Sequence, residues 1–241
     1  MAFLPDCNSR YRSAEYWDER YRTEESFDWF GDFSKFQHLL VQHVGKDARI
    51  LMLGCGNSSL SWDMYQTGYC SITNVDYSRV CVEAMAQRHA HTPGLSWVCM
   101  DARRLAFPGA TFQAVVEKGV LDAMLVGEKD PWNISNGSRE VMHQVLSEIS
   151  RVLEPGGRFV SVTFALPHFR KSLYARAEYG WSIKHYHYGD SFHYFLYVLT
   201  KGEELNPEDA ALERRMLTEA PPTVVMSQDK ESESFLNSIS L

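Results

Sequence analysis

One turn constrains this chain more than any other stretch. Ile50-Leu51-Met52-Leu53 is an apolar run, and it breaks at once into Gly54-Cys55-Gly56, followed by Asn57-Ser58-Ser59. A short apolar run entering a glycine-bracketed turn, with helix-capping residues behind it, is the start of a strand–turn–helix unit. Glycines at such a turn let the backbone approach a ligand closely. The residues downstream of the turn decide which ligand that is.

The same alternation continues along the chain. The spacing of Tyr16, Trp17 and Tyr21, then of Trp29, Phe30, Phe33, Phe36, Leu39 and Leu40, predicts two helices between residues 10 and 45. A first strand is expected over 49–53 and a helix over 58–66, capped by Asn57 or Ser58. SITNVDYS is a second strand ending at Asp76, with a helix over 79–90; LSWVCMDA is a third, ending at Asp101. FQAVVEKGV is a fourth strand whose apolar run stops at Glu117. Val141, Val145, Leu146, Ile149, Val152 and Leu153 line one helix face, which Pro155-Gly156-Gly157 is expected to end. A fifth strand spans 158–164, and residues 181–188 and 192–200 make an antiparallel hairpin through Gly189-Asp190. The fold class is therefore α/β: a Rossmann-like, mostly parallel sheet with one antiparallel edge, and helices on both faces. Residues 1–203 are read as one domain, with the helices of 10–45 capping its ligand site. Residues 204–241 are read as an acidic, largely flexible tail.

Composition removes several function classes. The 241 residues carry a formal net charge of -7 and no dense lysine or arginine cluster, so direct nucleic-acid binding is not expected. Five cysteines, odd in number and without a CxxC pair, make no disulfide framework or structural zinc site and suit a reducing compartment. The start MAFLPDCNSRYRS has no apolar signal core, and no run approaches the ~20 apolar residues of a membrane span. The expectation is a cytoplasmic protein, with the sequons at Asn133 and Asn136 read as chance matches. His185, His187 and His193 alternate with aromatics, but no carboxylate or cysteine completes a ligand set. They are read as packed or substrate-facing, and no metal is expected.

A phosphate-cradling loop needs Gly-Lys-Ser/Thr, and no lysine follows Gly56. The dinucleotide fingerprint matches at Gly54, Gly56 and the strand-end acid Asp76, but Ser59 holds the third glycine's place. Tyr197 and Lys201 repeat a YxxxK spacing, yet they fall in a predicted strand and not on the helix that pairing requires. A nucleoside without pyrophosphate suits the turn better. S-adenosylmethionine is such a ligand: Asp76 accepts from its ribose hydroxyls, Asp101 reads its adenine, and Gly54 meets its methionyl end.

ILMLGCGNSSLS, NVDYS, CMDARRL, EKGVLDAM and LSEISRVLEPGGRFV, in this order, resemble a seven-β-strand S-adenosylmethionine-dependent methyltransferase. EYWDERY, DWFGDF, LGCGNS and EKGVLDA are similar to the lysine methyltransferases of translation elongation factor 1-alpha, over roughly residues 10–200. The final ESFLNSISL resembles a C-terminus in that set. The resemblance implies S-adenosylmethionine as cofactor and elongation factor 1-alpha as the protein partner of a monomeric enzyme. It implies cofactor contacts at Trp17, Tyr21, Trp29, Gly54, Gly56, Asp76, Tyr77, Asp101, Ala102 and Lys118. Trp17, Tyr21 and Trp29 are expected to close over a sulfonium, since cations favour aromatic faces. Lys118 either pairs with a carboxylate of the ligand or orients backbone. Val120 stands where the resemblance leads us to expect threonine, and the Asn/Asp-Pro-Pro-Tyr/Phe motif of many amino methyltransferases is absent.

A lysine acceptor with a pKa near 10.4 costs about 4.6 kcal/mol to deprotonate at pH 7. Glu117 or Asp122, at the end of the fourth strand, is expected to receive the lysine and help remove its proton, as the catalytic pair. On residues alone, a small-molecule methyltransferase and a non-catalytic scaffold of the same fold stay open.

Overall fold

The computed structural model of the protein describes residues 4–130, 133–190 and 192–218. Seven strands form one sheet: β1 (Ile50–Leu53), β2 (Ile72–Asp76), β3 (Leu95–Cys99), β4 (Phe112–Lys118), β5 (Leu153–Thr163), β6 (Trp181–Tyr188) and β7 (Tyr194–Lys201). Their order is β3-β2-β1-β4-β5-β7-β6. The first five run parallel, and β7 is antiparallel to both β5 and β6. The single reversed strand thus lies one place in from the edge, where the hairpin folds back.

Strand order reverses between β1 and β4, which pair with Leu53 opposite Glu117. Crevices of this kind, outside the carboxyl ends of the strands, are where open α/β sheets bind ligands. All four residues of β1 are buried because the sheet is covered on both faces. Leu51 and Leu53 pack with Met142, Val145 and Ile149 of helix α6 (Asn136–Val152). Ile50 and Met52 point the other way, toward Phe33, Phe36 and Leu40 of α2 (Phe33–Leu40). The two-residue period of a strand makes this division. Ahead of α2 come a 3-10 turn (Asn8–Arg12) and α1 (Ala14–Thr23); α3 (Leu60–Gln66) and α4 (Arg79–Arg88) follow β1 and β2.

Several expectations change. Pro155-Gly156-Gly157 does not end α6. Leu153 is already extended and pairs with Phe112, so the sheet captures the chain before the glycines, which lie within β5. The third strand stops at Cys99; Met100 N–H bonds the Asp76 carbonyl, and Asp101 then turns the chain by accepting from Arg103 N–H at 2.8 Å. Helices α5 (Val120–Leu125) and α7 (Pro167–Tyr174) were not expected. Part of the segment read as a flexible tail is helix α8 (Pro207–Thr218). Asn206 Oδ1 caps it by accepting from Asp209 N–H at 2.9 Å, and buried Asp209 takes Lys171 of α7 at 2.8 Å. Residues 219–241, with ESFLNSISL, lie outside the described residues. Among the described residues no helix is long and apolar enough to cross a membrane.

Candidate active site

A cavity of about 1030 Å³ opens at the carboxyl ends of the strands, where the order reverses. Its walls come from α1, the link between α1 and α2, and the loops after β1 to β5. All ten residues expected to contact a cofactor line it, and so does Asp122. Glu117 does not reach it.

The glycine turn is tight for two reasons. Gly54 and Gly56 have φ of +61° and +51°, in the left-handed region that side chains disfavour. A Cβ on Gly54 would also run into the side chain of Val120, and one on Gly56 would lie 2.9 Å from the Tyr21 hydroxyl. Gly56 N–H donates to Asp76 Oδ2 at 3.0 Å, and Ser78 N–H donates to Oδ1 at 2.9 Å. Burial raises the Asp76 pKa, and these N–H donors pull the other way. Lone pairs remain on both carboxylate oxygens, the acceptors a ribose diol needs. Asp101, half exposed, is held below the usual carboxylate range by Arg103 at 2.6 Å.

Of the cations on the walls, Lys118, Arg103 and Arg170 are engaged with carboxylates. Lys118 donates to Asp28 at 3.1 Å and to the Trp29 carbonyl at 2.8 Å, so of its two expected roles it performs the second, orienting backbone. Burial lowers its pKa against the pull of Asp28. Arg103 holds Asp101 and Arg170 holds Asp122, while Arg12 also lines the cavity. The glycine turn and the Asp76 carboxylate fit a nucleoside, and S-adenosylmethionine carries one. Gly54, Asp76 and Asp101 are the residues that would hold it.

The N-terminal segment is fastened over the turn. Asp28 accepts from Ser58, from Ser59 N–H at 3.2 Å and from Ser59 Oγ at 3.0 Å, while Asn57 Nδ2 donates to the Glu24 carbonyl at 3.0 Å. Glu24 in turn takes a two-pronged contact from buried Arg20, 2.8 Å on each prong. The Arg20 guanidinium lies 5.6 Å from the Trp17 ring, 4.8 Å from Phe27 and 5.3 Å from Trp29. Aromatic faces expected to cover a sulfonium thus already cover a cation of the chain itself. Trp17 also stacks on Tyr21 at 5.6 Å.

At the other end of the cavity the expected catalytic pair is corrected. Glu117 is fully buried, and its Oε2 accepts from Val120 N–H at 3.0 Å and Leu121 N–H at 3.4 Å, while Oε1 accepts from Ser161. It caps α5 from beneath and faces no substrate. Burial pushes its pKa up to about 7, with Asp122 adding to the rise and Arg170 opposing it. Asp122 lines the cavity, but Oδ1 accepts from Arg170 and from Thr163, each at 2.6 Å. Its Oδ2 is buried without a partner, as are Nε and Nη1 of Arg170. Asp122 thus holds its ion pair through Oδ1 and keeps Oδ2 without a partner.

Sequence reasoning missed Arg20, Asp28, Thr163 and Arg170. Asp28 sits inside the DWFGDF stretch and is within reach of such reasoning; nothing local to Arg170 marks it as buried. His185 packs on Tyr197 and His187 on His193, with ring centres 5.8 and 5.2 Å apart. Tyr197 and Lys201 lie along β7, where the hydroxyl donates to the Ala165 carbonyl and the ammonium to Ser150 and the Tyr179 carbonyl.

Comparison with known proteins bears on the whole site. Residues 51–161 match the family model described as a methyltransferase domain. EEF1A lysine methyltransferase 4 from Mus musculus is 46% identical over 99% of this chain and 95% of its own length. The protein of the same name from Bos taurus is 47% identical over the same shares. Among solved structures, the N-methyltransferase NodS from Bradyrhizobium japonicum aligns with a TM-score of 0.58 at 12% identity, over 79% of this chain and 98% of NodS, a likeness of fold.

Proposed function

Since the chain belongs to the S-adenosylmethionine-dependent methyltransferase family of EEF1A lysine methyltransferase 4, we propose that it methylates a lysine side chain of elongation factor 1-alpha. The observation that carries this reading is one cavity with the glycine turn and both strand-end acids at one end and the start of α5 at the other. The bound cofactor supplies a methyl group made electrophilic by its sulfonium.

The chain's own residues divide the remaining work. Asp76 accepts from the ribose hydroxyls, Asp101 and Ala102 meet the adenine edge, and Tyr77 lies against it. The Gly54 and Gly56 backbone leaves room for the methionyl end. Trp17, Tyr21 and Trp29, stiffened by Arg20, form the lid that keeps water out. Lys118 holds that lid through Asp28 and the Trp29 carbonyl. The acceptor amine enters past Phe30 and Phe164, whose rings are 5.6 Å apart on the cavity wall. Their apolar surface favours the neutral amine. Because Asp122 is paired with Arg170, the lysine gives its proton to water before entering, and the site's task is alignment. Turnover is then expected to rise with pH, about tenfold per unit until the acceptor amine itself titrates. A plateau set near pH 7 would instead require a base from the protein.

The test is incubation of the purified protein with labelled S-adenosylmethionine and a cytosolic extract, with Asp76→Ala as control. One labelled band at elongation factor 1-alpha, lost in the control, supports the reading; label confined to small molecules overturns it. The cysteine composition supports placing the enzyme in the cytosol, and we propose that it acts there as a monomer, which light scattering on the purified protein checks.

A further inference from the structure

Two cysteines of different elements meet beside the ribose-binding acid. Cys55 lies inside the glycine turn, Cys81 lies in the first turn of α4, and Asp76 ends β2 between them. Their ligand atoms, two sulfurs and one carboxylate oxygen, all lie within 4.8 Å of one another, and all three residues are buried. Cys55 and Asp76 line the cavity, whereas Cys81 stands behind them. Nothing in the methyl-transfer reading uses either sulfur.

We propose that Cys55, Cys81 and Asp76 form a binding site for a thiophilic cation such as zinc, and that its occupancy displaces the cofactor. This rests on the reading of Asp76 as the ribose acceptor. Tetrahedral zinc bonds of about 2.3 Å to sulfur and 2.0 Å to oxygen set ligand atoms roughly 3.5–3.8 Å apart. From separations within 4.8 Å, the cluster needs a contraction of no more than about 1.3 Å to reach that spacing. Two sulfurs select a soft or borderline cation over magnesium or calcium, which want oxygen ligands. The carboxylate is held in place from behind by the Gly56 and Ser78 N–H groups, as ligating carboxylates commonly are. The fourth position opens to the cavity, where water completes the set.

The charges support a cation here. Asp18 lies close enough to bear on Asp76, and it accepts a hydrogen bond of 2.5 Å from Ser78. The Cys55 pKa is raised well above its ordinary value by its contact with Cys81 and by burial. Each cysteine that binds as thiolate gives its proton to water, so two metal–thiolate bonds and one metal–carboxylate bond form with no change of oxidation state. Asp76 cannot bind a cation and a ribose diol at the same time.

The experiment titrates the full-length protein with cadmium and follows the ultraviolet cadmium–thiolate band, with zinc competing for the site. S-adenosylmethionine is then titrated calorimetrically into the metal-free and metal-loaded proteins. Cys81→Ser removes one ligand without touching the cavity, and Cys55→Ser serves as a second variant. The expected result is one tight equivalent in the wild type, weakened more than roughly tenfold in either variant, the scale at which even outer-shell partners count. Bound metal should weaken the cofactor in the wild type and leave its affinity unchanged in Cys81→Ser. Equal metal affinity in wild type and both variants overturns the site. Tight metal binding with undiminished cofactor affinity overturns the competition. Failure of metal-free protein to bind S-adenosylmethionine sinks the cofactor reading instead, and leaves the cadmium band readable.

Discussion

The two ends of the cavity are built on opposite terms. At the cofactor end, Asp76 ends β2 and takes the backbone N–H donors of Gly56 and Ser78 with lone pairs to spare, while Asp101, past the end of β3, is paired with Arg103. At the acceptor end, Glu117 and Asp122 are spent on Val120, Leu121, Ser161, Thr163 and Arg170. At the cofactor end Asp76 keeps its charge available to a ligand. The other uses charge to fix α5 and α7 against β4 and β5, and leaves the acceptor a wall of rings. A carboxylate offered to an ammonium stabilises the protonated, unreactive form, so neutralising Asp122 with Arg170 suits an amine acceptor.

The severest challenge to this contrast is to unpair the buried arginine. Asp122→Ala should cost about 3–5 kcal/mol of stability, because Arg170 is left charged and unpaired out of water. Asp122→Ala with Arg170→Met should recover most of it in urea unfolding; equal loss in single and double variants would mean the pair is not what Asp122 contributes. Asp76→Ala should do the reverse. It should weaken S-adenosylmethionine by the roughly 1.5–3 kcal/mol of charge-assisted hydrogen bonds, and leave the melting temperature unchanged or higher, since a buried charge is removed. A matching fall in stability would erase the distinction between the ends.

Glu117 probes the acceptor end through pH. Its folded pKa of about 7 stands above the ordinary 4.5, so between those values the folded state binds more protons than the unfolded one. Its contribution to stability is present at low pH and lost as pH rises through that window. Glu117→Gln should therefore gain stability relative to wild type from pH 4.5 to 7 and hold a constant difference above; a difference independent of pH would show the carboxyl ionised throughout. The smallest effect is expected at the surface. Arg103→Ala breaks a pair about half exposed on both sides and should change unfolding free energy by less than about 1 kcal/mol.

The cofactor end is legible in the sequence because it is local. ILMLGCGNSS carries strand and glycine turn, NVDYS carries strand and acid, each within ten residues, and strand period and glycine geometry act over that range. The acceptor end is half legible. Glu117 and Asp122 stand out by position after a strand, but their partners Ser161, Thr163 and Arg170 come from 41 to 48 residues further on. No spacing rule joins them.

Taken one segment at a time, the chain already dictates the sequence of seven strands, the doubly covered sheet, and the glycine turn and strand-end acid at which the cavity opens. Hydrophobic period, turn chemistry and strand-end acids are properties of short segments, and they survive being read in isolation. Which charges are free is a matter for the folded molecule alone. Folding joins Lys118 to Asp28, turns the tryptophan faces toward Arg20, seals Glu117 under α5, pairs Asp122 with Arg170, and brings Cys55 and Cys81 to Asp76. A buried charge must find its partner wherever the fold brings one, because leaving it alone out of water costs more than a single site can supply.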